Sequence, residues 1–66
     1  MTKQTLDALL SALVLDLESA QSAYDREDWM QFAAAADQIK AVAHVAAEGG
    51  RAMAAVTEDL KGRVTP

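Results

Sequence analysis

Residues 2–24 contain neither glycine nor proline, and their large apolar side chains return every three or four positions. At 100° per residue, Leu6, Leu10, Leu13, Leu17, Ala20 and Tyr24 fall on one face, with Leu9 at its edge. The strict alternation of a half-buried strand is absent, so the pattern predicts an amphipathic helix over residues 3–24. Thr2 or Thr5 can accept a hydrogen bond from an orphan amide at its start, and Asp7 suits the positive end of the helix dipole. Ser11, Asp16, Glu18, Ser19 and Ser22 occupy the outer arc.

The run Asp25, Arg26, Glu27, Asp28 is the first all-charged stretch and the first plausible turn. Asp28 and Gln31 stand at capping-box spacing, the Asp capping forward and the Gln able to reach back to the cap amide. A second helix is predicted over residues 28–48, with Phe32, Ala35, Ala36, Ile39, Val42, Ala43 and Ala46 as its buried face. A connection this short makes the two helices antiparallel neighbours. Alanine favours the helix but supplies little apolar area, so the leucines of the first helix would dock onto a smooth groove.

Gly49 and Gly50 admit two readings. They can end the second helix, leaving a C-terminal helical segment over residues 51–62 and a frayed tail at 64–66. Alternatively the helix passes through them, because Ile39, Ala43, Ala46, Gly50, Met53, Val56 and Leu60 stay on one drifting stripe. Two glycines inside a helix cost about 1 kcal/mol each relative to alanine, which favours a break or sharp kink.

The chain has 66 residues, of which fifteen are alanine and none is cysteine, so the disulfides and thiolate metal sites that staple many small domains are excluded. Val14, Leu15 and Val45 fall off the predicted seams, which points to a second buried surface on a chain this small. The expected architecture is an all-α antiparallel helical hairpin with a C-terminal helical segment, dimerising into a four-helix-type bundle. No basic segment opens the chain and no apolar run is long enough to span a bilayer, so a cytoplasmic protein with no membrane partner is expected.

Ten acids against six bases give a formal charge of −4, and the bases form no block for phosphate binding. His44, with Lys40 and Glu48 one turn to either side and Asp37 on the same flank, could hold a divalent ion. Two ligands are too few for a tight site, so a solvated flank with i, i+4 pairing is preferred and no metal or cofactor is expected. One histidine with scattered serines assembles no nucleophile–base–orienter set, and the chain reads as no enzyme.

The opening Met1, Thr2, Lys3, Gln4, the length and the dimeric hairpin resemble the Rop family of plasmid copy-number regulators. That resemblance implies binding of paired RNA loops through polar, aromatic and lysine side chains on the exposed face of the first helix. Here that arc holds Asp16, Glu18 and serines, with Lys3 its only base, so neither residues nor activity of the family carry over. What the likeness leaves is the expectation of a phage or mobile-element origin. The expected function is a protein–protein interaction module that regulates or inhibits a larger partner through Leu15, Asp16, Glu18, Trp29, Met30 and Val45. Trp29 has a rival role as a plug that fixes the turn, which is the preferred one. The alternatives are a nucleic-acid or nucleotide binder using Arg26, Lys40, Arg51 and Lys61 in a groove made by the dimer, and a structural assembly subunit.

Overall fold

The computed structural model describes the backbone of residues 2–64 and the side chains of residues 2–60. Two helices, α1 (Lys3–Asp25) and α2 (Trp29–Val64), pack against each other as a hairpin. Of the two candidate caps, Thr2 is the N-cap of α1, its Oγ1 accepting from the Thr5 amide at 3.1 Å.

The turn is built from backbone hydrogen bonds. The Asp28 amide donates to the Ala23 carbonyl at 2.9 Å and the Glu27 amide to that of Tyr24 at 3.0 Å. Those are the two reverse bonds of a Schellman ending, with Glu27 in the left-handed position at φ 56°. A glutamate there costs about 1 kcal/mol that a glycine would not, and the charged tetrapeptide hides this glycine-type turn from sequence patterning. Asp28 then starts the next helix, its Oδ1 accepting from the Gln31 amide at 3.1 Å. The predicted return bond from Gln31 to the Asp28 amide is not made, because that amide is already committed to Ala23.

With so little chain between them, the helices run close together near the tip, where the fully buried side chains are small. Ala20, Ala23 and Ala35 are buried there. Covered positions of α1 follow a three–four alternation, Leu6, Leu9, Leu13, Asp16, Ala20 and Ala23, with Ala12 beside it. On α2 the same alternation runs through Phe32, Ala35, Ile39, Val42, Ala46, Gly49 and Met53, of which Phe32 is the most open. Such spacing is the signature of helices meeting along a coiled-coil seam.

This seam is rotated from the one the sequence predicts. Leu10, Leu17 and Tyr24 of the predicted α1 face are exposed, as are Ala36 and Ala43 of α2. Asp16, expected on the outer arc, lies half-buried in the seam with Oδ2 shielded and without a hydrogen-bond partner among the described residues.

At Gly49 and Gly50 the expected break gives way to an unbroken α2, with neither glycine at positive φ. Gly49 is buried at a seam position, whereas a Cβ on Gly50 would meet nothing within 4 Å. Propagating a helix that is already packed costs less than starting a new one, so the glycine penalty is absorbed. Residues 51–62 therefore extend α2 rather than forming a third element, and Val64 is its last residue. The rest of the predicted frayed tail, residues 65–66, lies outside the described residues.

The result is a rod of 59 × 15 × 14 Å with a radius of gyration of 16.6 Å, against about 11 Å for a compact chain of this length. Two substitutions test the arrangement. Gly50→Ala should stabilise the chain by about 1 kcal/mol, whereas a left-handed ending at that residue would make the same change destabilising. Asp16→Leu should stabilise by about 1–2 kcal/mol by replacing an unpaired oxygen with apolar contact. An outward Asp16 would give a change within about 0.5 kcal/mol. Thermal unfolding reads both, at roughly 4–8 °C per kcal/mol.

Candidate functional site

Because the seam takes Leu6, Leu13 and Ala20 together with Leu9, Asp16 and Ala23, the remaining large side chains of α1 are displaced to one flank. Leu10, Leu17 and Tyr24, seven residues apart, line up along it at 57%, 56% and 56% exposure. Leu17 and Tyr24 border a shallow groove with Phe32, Ala36 and Ile39 of α2, and the groove walls are predominantly apolar. Sequence reasoning placed these side chains in the core. What it missed is that they form a surface.

At the tip the groove ends in three aromatic rings. Tyr24 and Trp29 meet edge to face at 6.0 Å between centroids, as do Trp29 and Phe32 at 6.3 Å, while Tyr24 and Phe32 are tilted to each other at 6.4 Å. Each edge-to-face pair adds about 0.5–1.5 kcal/mol beyond area burial. Trp29 ties the two helices together as the plug reading requires, yet it remains 56% exposed. Beside it Met30 is 87% exposed.

The opposite flank is polar. Leu15, Glu18, Ser19, Ser22, Arg26 and Gln31 line a shallow depression there, and the Arg26 guanidinium donates to Ser22 Oγ at 2.9 Å. Of the residues singled out from the sequence, the structure brings Leu15 and Glu18 together here, and Trp29 and Met30 together at the tip. Val45 stands apart, about 24 Å along α2 from Trp29, and Asp16 is withdrawn into the seam. The expected partner-binding residues do not form one patch.

The bases do not converge either. Arg26 caps the end of α1, while Lys40 and Arg51 share one side of α2 about 17 Å apart. The Lys61 side chain lies outside the described residues. His44 Nε2 and Glu48 Oε1 are 3.1 Å apart, both well exposed on the outer face of α2. Among the described residues no group of three or more His, Asp or Glu side chains is arranged to hold a metal ion, and no helix is long and apolar enough to cross a membrane.

Comparisons with protein-family models, with curated proteins and with solved structures gave no match to this chain. The surface itself is therefore the basis for any functional reading. Trp29 should be reached by acrylamide in the folded protein, and Tyr24→Ala should increase that quenching while lowering stability by about 1 kcal/mol. A blue-shifted emission insensitive to quencher would mean that the ring is enclosed.

Proposed function

We propose that this chain is a protein–protein interaction module without chemistry of its own, which pairs with a second copy through its leucine flank to form a four-helix-type bundle. The single observation that carries the reading is the line of Leu10, Leu17 and Tyr24 beside an apolar groove, on a molecule with few buried side chains. Its accessible surface of 5190 Å² exceeds the roughly 4,000 Å² expected for a folded monomer of its mass. The surplus is comparable to the ~800 Å² that each partner contributes to a standard interface.

An isologous pairing would give that flank the apolar cover which a lone hairpin lacks. The tip then remains as the contact for a larger partner, with Met30 and Trp29 as its anchors; methionine and tryptophan adapt well to a protein surface and bury large area on contact. Regulation or inhibition of that partner in the cytoplasm is the role that a small acidic rod with no assembled catalytic group would serve. A phage or mobile-element source belongs to the same proposal. The nucleic-acid reading draws no support from the dispersed bases.

Sedimentation equilibrium at micromolar concentration tests the pairing. The native chain should run at about twice its 7.0 kDa mass. Leu17→Gln should raise the dissociation constant about a hundredfold, since each of the two copies loses roughly 1.5 kcal/mol of leucine burial. A native chain that stays at single mass while folded defeats the reading.

A further inference from the structure

α2 outruns α1. Its 36 residues against the 23 of α1 leave an arm of about 20 Å extending past the start of α1. The seam pattern does not stop where α1 does. After Gly49 and Met53, Val56 and Leu60 continue the same three–four alternation, and they are 57% and 54% exposed. A helix of this length with no neighbour is marginal in water. The apolar line along the arm is thus an extension of the hairpin's own interface, with the second helix missing.

We infer that the missing helix is the same arm of a second copy, and that the two chains pair with their hairpin tips at the same end. This rests on the self-association proposed above and adds its direction. Three observations support a second copy, and the first and third of them select that orientation. The exposed stripe is continuous with the intramolecular seam, so it calls for a further helix, and a two-fold axis along the rod brings both arms out together at one end, where they can lean toward each other. The accessible surface exceeds that of a folded monomer by about what one side of a stable dimer buries. The same axis also sets the large Leu10 and Leu17 of one copy over the small Ala36 and Ala43 flank of the other, a large-against-small fit. The reversed arrangement would place leucine against leucine and leave each arm projecting beyond the partner's tip. Arg51 and Glu58 lie on the outer side of the arm, away from Met53, Val56 and Leu60, while Asp59 stands at the edge of the stripe.

The native chain lacks cysteine, so single introduced thiols report on orientation without interference. Thr57→Cys, beside the arm seam, should cross-link into a covalent dimer in high yield with a short bismaleimide. Met30→Cys, at the exposed tip, should give strong energy transfer between donor- and acceptor-labelled copies. Leu60→Asp should weaken dimerisation at least tenfold in sedimentation while leaving the hairpin's helical signal largely intact. A dimer by mass whose Thr57→Cys form does not cross-link, or whose tips show no energy transfer, overturns the same-end orientation and leaves self-association standing. An unchanged dissociation constant for Leu60→Asp removes the arm from the interface. Single mass for the native chain at every concentration defeats both proposals at once.

Discussion

The close approach of the two helices at the tip is the constraint from which the rest of this structure follows. Two reverse backbone bonds and the Asp28 cap join α1 to α2 with almost no intervening chain. Near the tip the buried side chains are the small ones, Ala20, Ala23 and Ala35, while the larger Phe32 stays partly open. Once alanines occupy the tip, the three–four alternation carries the register down the rod. Leu9, Leu13, Ile39 and Val42 then face inward, and Leu10 and Leu17 are displaced sideways.

That displacement has an energetic consequence. A leucine left in water forgoes about 1.5–3 kcal/mol of possible burial, and several remain exposed on a chain of only 66 residues. The seam also carries an aspartate with an unpaired shielded oxygen, and the turn carries a glutamate in a left-handed conformation. Each feature lowers the stability of the single hairpin. A rod with a narrow alanine-lined seam, an apolar flank and an uncovered arm leaves much of its apolar surface in water.

Much of the local structure is legible in the sequence. The absence of glycine and proline, the Thr2 cap and the Asp28 cap locate both helix starts and the turn. The turn type was not legible, since a left-handed residue is ordinarily announced by glycine or asparagine and here is Glu27. The buried face of α1 was only partly legible. Leu6, Leu13 and Ala20 belong both to the richest leucine face and to the true seam, and choosing between Leu10, Leu17, Tyr24 and Leu9, Asp16, Ala23 requires knowing how near the partner helix lies. Counting apolar residues selects the first set. The fit at the tip selects the second.

By itself, then, the sequence determined that this chain is helical, where it turns and that its two helices lie antiparallel, because caps, helix propensity and periodicity act over a few residues. Tertiary structure alone decided which leucines are hidden, that Asp16 turns inward and that α2 continues through Gly49 and Gly50. Those outcomes depend on the distance between two helix axes and on the packing available at each level of the rod. No local stretch of chain encodes that distance; it is set where the helices meet.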